Sequence, residues 1–266
     1  MRTIKRIELR SRLKRLADWL TGLIFGTPSQ CALCGEAMPR RGGLRFGRED
    51  REKPFSLDDP PGICDSCLDK LSQQMSWVCE VCGAPLRPPL RVCRDCQKCF
   101  YTFDGQRSAA IYDGHVKSAI IRMKYQGERW LSRPLGWLVA RAVGEFLPVD
   151  LVIPIPLEPG SRTRRGYNQA LDLAKEVSNL LEVPLLDILT RHKRYSHQVD
   201  LGRKMRWGNL QESMVARHEI NLRGQRCLLV DDVTTTGATL DEAARVLKKL
   251  GAEKVYCATV ARTLRH

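Results

Sequence analysis

The apolar positions between residues 227 and 260 predict a strand, a turn, a helix and a second strand. Residues 227–230 are apolar without alternation, which is typical of a strand buried on both faces of a parallel sheet. After the turn, apolar residues recur at helical spacing and predict one buried stripe, formed by Leu240, Ala243, Ala244, Leu247 and Leu250. We expect Gly251 to end this helix before a strand over residues 255–260.

The pattern upstream predicts that residues 100–266 form one α/β domain. Residues 103–114 are typical of a short strand or a hairpin, and residues 151–155 of a buried strand. Three further helices present apolar stripes at Val116, Ala119, Ile120 and Met123, then at Leu135, Leu138, Val139 and Ala142, and then at Ala170, Leu173, Ala174 and Val177. Strands that alternate with helices favour a parallel sheet flanked by helices.

Two carboxylates and a hydroxyl-rich turn follow the apolar run. Asp231 and Asp232 are adjacent, and the turn after them consists of Thr234, Thr235, Thr236, Gly237, Ala238 and Thr239. Backbone N–H groups at a helix N-terminus, a glycine and several hydroxyls suit a phosphate, so residues 234–239 are called the phosphate cradle. The lysine and spacing of a Walker A loop are absent. Two acids beside a phosphate suit ribose hydroxyls or a metal, and a helix-capping Asp after an ordinary strand is the alternative.

Two basic loops accompany the cradle. Arg162, Arg164 and Arg165 follow the strand at residues 151–155, where a parallel sheet forms its ligand crevice, so they are candidates to clamp pyrophosphate. A solvated basic loop is the alternative. Residues 191–209 contain six basic residues and one acid, with little apolar period. We interpret them as a mobile loop that closes over an active site.

Nine of the eleven cysteines lie between residues 31 and 99. Each Cys-x-x-Cys pair presents two thiolates from one tight turn, which suits half of a tetrahedral zinc site. Disulfides would require an oxidising compartment, and no export signal supports one. We therefore predict a double zinc ribbon over residues 31–99, with two structural zinc ions. The predicted ligands are Cys31, Cys34, Cys64, Cys67, Cys79, Cys82, Cys93 and Cys96.

The pairing of these motifs has alternatives. Sequential pairing joins residues 31, 34, 64 and 67 in one site and residues 79, 82, 93 and 96 in the other. Cross-braced pairing is the alternative, and Cys99 is an alternative ligand to Cys93 because Cys96-x-x-Cys99 overlaps the last motif. Residues 39–62 are charged and rich in glycine and proline, so they predict a flexible loop between the first two motifs.

The net charge of +14 is unevenly distributed. Residues 1–30 carry seven basic and two acidic side chains, and residues 100–266 carry 26 and 18. The excess suits a phosphorylated ligand or nucleic acid, although a basic solvated surface is the commoner meaning. Residues 1–30 predict an amphipathic helix that packs on the protein body, with membrane-surface contact as the alternative. No membrane-spanning run or signal peptide is visible, so we expect a cytoplasmic protein.

The segment VDDVTTTGAT, residues 230–239, resembles the signature of type I phosphoribosyltransferases for phosphoribosyl pyrophosphate (PRPP). The resemblance implies that Asp231 and Asp232 hold the ribose hydroxyls and are the catalytic carboxylates. It also implies that magnesium accompanies PRPP. The residues that it assigns to the 5-phosphate are Thr235, Thr236, Gly237, Ala238 and Thr239.

The ordered set of motifs resembles the ComF family of competence-associated proteins over nearly the whole chain. It comprises the cysteine-rich front, Arg-Arg-Gly-Tyr-Asn-Gln at residues 164–169, a loop with Gln198 and Arg206, and the PRPP signature. Arg191 and Lys193 belong to the same predicted flexible loop. The family implies a zinc-binding part on a phosphoribosyltransferase domain, and handling of single-stranded DNA with other DNA-uptake proteins. A small-molecule phosphoribosyltransferase of nucleotide salvage is the alternative.

Overall fold

A computed structural model describes residues 30–38, 57, 60–158, 166–191, 213–218 and 220–264. The predicted helix at residues 1–30 and most of the predicted loop at residues 39–62 lie outside this part of the chain. The structure has two small cysteine-containing segments followed by an α/β arrangement.

Four parallel strands form the main sheet, in the order β1-β6-β5-β2. A separate antiparallel pair consists of β3 and β4. The strands are β1 Gly105–Ile111, β2 Leu151–Pro154, β3 Leu189–Arg191, β4 Met214–Ala216, β5 Arg226–Thr234 and β6 Lys254–Arg262. The segment at residues 103–114 therefore contains a strand that pairs in parallel with β6, and not a hairpin. The fold class predicted from the alternation of strands and helices is confirmed.

Six α-helices are present in the described part of the chain. They are α1 Asp65–Gln74, α2 Arg94–Lys98, α3 Gly114–Tyr125, α4 Ser132–Ala142, α5 Gln169–Leu181 and α6 Ala238–Lys249. Short 3-10 turns lie at Arg129–Leu131 and Gly144–Phe146. None of these helices has the length and hydrophobicity required to cross a membrane.

The sheet separates two hydrophobic cores because side chains alternate along each strand. Leu228 and Val230 of β5 belong to the core that contains residues of α3, α4 and α5. Cys227 and Leu229 belong to the other core, with the apolar stripe of α6. All four strand side chains are fully buried, which explains why this run is apolar without alternation.

The second cysteine segment rests on the main sheet through two buried arginines. Arg107 of β1 donates hydrogen bonds to the backbone carbonyls of Cys79, at 3.4 Å, and Glu80, at 3.1 Å. Arg262 of β6 donates to the carbonyl of Cys82. Hydrogen bonds from charged donors to buried carbonyls are stronger than those from neutral donors. The cysteine segment is therefore joined to the α/β sheet by specific polar contacts.

Candidate functional site

The phosphate cradle connects the end of β5 to the beginning of α6. Gly237 precedes the helix with a φ of +81°, a left-handed conformation that favours glycine. The Thr236 hydroxyl accepts a hydrogen bond of 3.2 Å from the backbone N–H of Ala238. Asp231 and residues 233–240 line one concavity. The cradle predicted from sequence thus forms a pocket at a helix N-terminus, the part of a helix that attracts anions.

The structure divides the two adjacent carboxylates between different surroundings. Asp231 lines the concavity with the cradle. The Asp232 side chain lies on the same face of β5 as those of Leu228 and Val230, since side chains alternate along a strand. It is only 4% exposed, and its Oδ1 lies 2.6 Å from the ammonium Nζ of Lys124 on α3. The carboxylate that contacts Lys124 is therefore not the one that lines the cradle.

Asp231 has an unusual proton affinity. Burial, followed by the charge of Asp232, raises the pKa of Asp231 from 3.8 to about 8. Its Oδ1 accepts a hydrogen bond of 2.8 Å from the backbone N–H of Asp232, which acts in the opposite direction. The positive charges of Lys124 and Arg191 also lower this pKa. Perturbed carboxyl groups of this kind are common in ligand-binding sites.

Lys124 is a site residue that sequence reasoning missed. The helical pattern of α3 identified its apolar face, and Lys124 lies outside that stripe. The lysine side chain is nevertheless only 16% exposed, because it contacts Asp232. The two residues are separated by more than a hundred positions, so no local pattern could have joined them.

A segment that leaves the second cysteine group contacts the cradle. The Tyr101 hydroxyl donates a hydrogen bond of 2.9 Å to the backbone carbonyl of Thr236. The ring of Tyr101 stacks on Phe103 with centroids 4.6 Å apart. A Cβ atom added to Gly237 would lie 3.4 Å from the Tyr101 ring and 3.6 Å from the Gln106 side chain. The segment 101–106 therefore supports the cradle at Thr236 and Gly237.

The basic loops are only partly described. Arg162, Arg164 and Arg165 lie outside the described residues, as do Lys193, Gln198 and Arg206. Arg191 is the last residue of β3, and its guanidinium lies 3.2 Å from Glu158 and 3.9 Å from Glu242 of α6. The arginine loop begins after β2, which is hydrogen-bonded to β5 in parallel. The carboxyl end of β2, after which this loop begins, therefore lies beside the strand that carries the acidic pair.

The eight predicted cysteine ligands form two groups. Within each group the sulfur atoms all lie within 4.8 Å of one another, and the grouping is the sequential one: Cys31, Cys34, Cys64 and Cys67, then Cys79, Cys82, Cys93 and Cys96. Three of the sulfur pairs are 3.7–3.9 Å apart: Cys31 with Cys67, Cys34 with Cys64, and Cys82 with Cys93. Four sulfurs at the usual zinc–sulfur distance of about 2.3 Å would be separated by about 3.8 Å in a tetrahedron. The donor sets therefore fit zinc.

Hydrogen bonds within the second group favour a thiolate. A hydrogen bond from the Cys82 thiol lowers the pKa of Cys79 to about 4, although burial acts in the opposite direction. The backbone N–H groups of Cys82 and Cys93 lower it further, the latter with an N–S distance of 3.4 Å. The same side-chain hydrogen bond raises the pKa of Cys82. Among the described residues, Cys99 belongs to neither group.

Comparisons with known proteins agree with these features. A profile of the family "Phosphoribosyl transferase domain" matches residues 168–265. Competence protein F of Haemophilus influenzae is 32% identical over 212 residues, covering 76% of this chain and 90% of that protein. Competence protein ComFC of Bacillus subtilis is 28% identical over 205 residues, covering 74% and 82%. DNA utilization protein YhgH of Salmonella typhimurium is 28% identical over 211 residues, covering 76% and 91%.

Proposed function

Because this chain belongs to the ComF family of competence proteins, we propose that it binds PRPP with magnesium and acts in the cytoplasm on single-stranded DNA during DNA uptake. The observation that carries the PRPP proposal is the position of the cradle. It joins a helix N-terminus to the strand that bears Asp231 and Asp232. A phosphate in the cradle would have Asp231 beside it, since Asp231 lines the same concavity, and Asp232 is the next residue along the strand. A sugar phosphate satisfies both parts, whereas a second phosphate beside the acids would be repelled.

Each part of PRPP has candidate partners. The 5-phosphate would accept hydrogen bonds from the cradle, and the ribose hydroxyls would donate to the acidic pair. The pyrophosphate would contact the basic loops, which contribute Arg162, Arg164 and Arg165, and Arg191 with Lys193, Gln198 and Arg206. Bidentate arginine contacts are suited to such a leaving group because they neutralise its developing charge.

The reaction of a phosphoribosyltransferase is displacement of pyrophosphate at the anomeric carbon by a nucleophile. Magnesium bound with PRPP would supply positive charge that stabilises the pyrophosphate leaving group. Asp231 and Asp232 would orient the ribose so that the anomeric carbon faces the acceptor. Closure of the loop at residues 191–209 would exclude water from the carbon that reacts.

Calorimetry with PRPP and magnesium tests this assignment. We expect the double variant Asp231→Ala, Asp232→Ala to lose PRPP affinity, while it still binds inorganic phosphate through the cradle. The variant Asp150→Ala is a matched control, because Asp150 pairs with Arg226 at the amino-terminal end of β5, whereas the cradle follows its carboxyl end. PRPP binding that is unchanged in the double variant would remove the acidic pair from the site.

We propose that the cysteine groups bind two structural zinc ions, with residues 31–99 as a double zinc ribbon and residues 100–266 as the phosphoribosyltransferase domain. Tetrahedral all-thiolate sites have no open coordination position at which the metal could bind and activate water. Their contribution would therefore be to the fold. The contacts of Arg107 and Arg262 with the second segment support a role of this group in joining the ribbon to the sheet.

Three observations support the DNA proposal. The relatives include proteins named for competence and for DNA utilization. The net charge of +14 suits a phosphate backbone. The aromatic residues Tyr125 and Trp130 are exposed, by 64% and 49%, and the Arg122 guanidinium lies 5.9 Å from the Trp130 ring centroid. Rings of this kind stack on the bases of single strands.

The match to a phosphoribosyltransferase domain also favours a second candidate, a small-molecule transferase of nucleotide salvage. Electrophoretic mobility of labelled single-stranded DNA across a salt series separates the two functions. Backbone binding must weaken steeply as salt increases. A complex at low salt that disappears at high salt would support DNA handling. The absence of any complex, together with pyrophosphate release in a screen of bases, would establish the transferase instead.

A further inference from the structure

We propose that Lys124 is a positioning residue of the sugar site, which orients Asp232 so that one carboxylate oxygen is left without a protein donor and can accept a hydrogen bond from a ribose hydroxyl. This inference rests on the proposed binding of PRPP. It assigns a role to a residue on a helix that the PRPP signature does not include. Its basis is the contrast between the two oxygens of one buried carboxylate.

The two oxygens of Asp232 have different partners. Oδ1 lies 2.6 Å from the ammonium of Lys124. Oδ2 is buried and accepts no hydrogen bond from any residue in the described ranges. A buried carboxylate oxygen without a donor is costly, and such atoms usually indicate a ligand or water that completes the bonding. Asp232 therefore presents one satisfied oxygen and one acceptor that needs a donor.

The ammonium also restricts the chemistry of the missing donor. A divalent cation on Oδ2 would lie on the same carboxylate as the Lys124 ammonium and would be repelled by it at this buried position. A hydroxyl donor carries no charge, and its hydrogen bond to an ionised carboxylate is strengthened by that charge. The arrangement therefore favours a sugar hydroxyl over a metal ion on Asp232, while magnesium arrives with the ligand.

Lys124 is held in place by the end of α3 and the residues around it. Arg122 makes a bidentate ion pair with Glu128, with distances of 3.0 and 2.6 Å. The hydroxyl of Tyr167 donates to the backbone carbonyl of Met123, the residue before Lys124. The last turn of α3 is thus fixed from two sides. A fixed backbone allows a flexible lysine side chain to hold its partner in one orientation.

Ribose 5-phosphate and its 2-deoxy and 3-deoxy analogues test this role. We expect the wild-type protein to prefer ribose 5-phosphate over at least one deoxy analogue. Lys124→Met should lower the affinity for ribose 5-phosphate about tenfold, as for the loss of one charge-assisted hydrogen bond. It should also reduce the preference to about twofold or less, with the affinity for inorganic phosphate unchanged. Lys117→Met is the matched control, because Lys117 is exposed and lies two helical turns earlier on α3.

A double-mutant cycle shows whether Lys124 acts through Asp232. In an Asp232→Asn background, Lys124→Met should change sugar affinity little, since the carboxylate that it orients is gone. The double variant lacks both charges of this ion pair and leaves no buried charge unpaired, so it remains testable even if Lys124→Met alone does not fold. A full effect of Lys124→Met in the Asp232→Asn background would overturn the positioning role and indicate direct contact with the ligand.

Three results separate this inference from the function on which it rests. A wild-type preference for ribose 5-phosphate that survives in Lys124→Met refutes the inference alone. A wild-type protein that binds neither PRPP nor ribose 5-phosphate refutes both. Titration of the zinc-loaded protein with Mn2+ alone, followed by electron paramagnetic resonance, tests the preference for a hydroxyl. If the wild-type protein binds Mn2+ and Asp232→Asn does not, the preference of Asp232 for a hydroxyl is overturned. If Asp232→Asn does not change Mn2+ binding, the preference is supported.

Discussion

The hydroxyl of Tyr101 donates a hydrogen bond of 2.9 Å to the backbone carbonyl of Thr236 in the phosphate cradle. Tyr101 lies two residues after Cys99, where the chain leaves the second cysteine group and approaches β1. The cradle is therefore supported by residues that belong neither to β5 nor to α6. Its geometry depends on the segment that connects the cysteine region to the sheet.

We expect Tyr101→Phe to weaken phosphate binding by the cradle. The variant keeps the ring that stacks on Phe103 but removes the hydrogen bond to Thr236, which is worth about 1 kcal/mol. The affinity for inorganic phosphate, measured by calorimetry, should therefore fall about threefold to tenfold. Tyr256→Phe is the control, since Tyr256 lies near the amino-terminal end of β6, whereas the cradle lies at the carboxyl end of the neighbouring strand β5. Equal phosphate affinities in both variants would contradict this support role.

Substitution of Gly237 should separate backbone strain from ligand binding. Gly237→Ala and Gly224→Ala both place a Cβ on a left-handed residue, with φ of +81° and +75°. Each should lower the free energy of unfolding by about 1 kcal/mol, or the melting temperature by about 2–4 °C. Only Gly237→Ala should also weaken phosphate binding, because Gly224 lies before β5 with open space around it. Phosphate binding that is lost in both variants would indicate a general effect on folding.

The raised pKa of Asp231 predicts a dependence of stability on pH. Between about pH 4 and pH 8 the folded protein holds a proton that the unfolded chain has released, so stability decreases as the pH rises through this window. Asp231→Asn cannot ionise. We expect it to be more stable than the wild-type protein, by a margin in melting temperature that grows from pH 6 to about pH 8 and then remains level. A margin that shrinks over this range would contradict the raised pKa.

Asp150→Asn is a control for which we expect the opposite change in stability. Hydrogen bonds from Arg226 lower the pKa of Asp150, so its contribution to stability is present above the usual carboxyl pKa and is lost as the pH falls. We expect Asp150→Asn to be less stable than the wild-type protein at pH 6–9, with a difference that does not change over this range. A thermal melt series on the two variants therefore distinguishes a half-buried carboxyl group that a neighbouring charge repels from one that is paired.

The grouping of the cysteines predicts the metal content of single variants. Cys34→Ser and Cys82→Ser should each reduce bound zinc from two ions to about one per chain, because each removes one of four thiolates from a different group. Cys99→Ser should retain both ions, since Cys99 lies outside both groups in the described structure. Elemental analysis of the purified variants measures this directly. Loss of zinc in Cys99→Ser would instead favour the overlapping motif Cys96-x-x-Cys99.

The sequence by itself determined the local elements of this protein. The apolar run at residues 227–230 predicted β5, and the helical stripe after it predicted α6, because burial on two faces and on one stripe leave different periods in a sequence. The glycine and threonines between them predicted the cradle. These features depend on neighbours within a few residues, where spacing directly reports which side a side chain faces.

Only the tertiary structure decided which distant side chains meet. It brought Lys124 to Asp232, and Tyr101 to Thr236, across more than a hundred residues in each case. It also separated the surroundings of Asp231 from those of Asp232, which adjacent letters could not reveal. Such contacts depend on how helices pack on a sheet, and many sequences with the same periods would place other side chains there. Packing therefore determines the polar partners of this site, while periodicity determines only the elements that carry them.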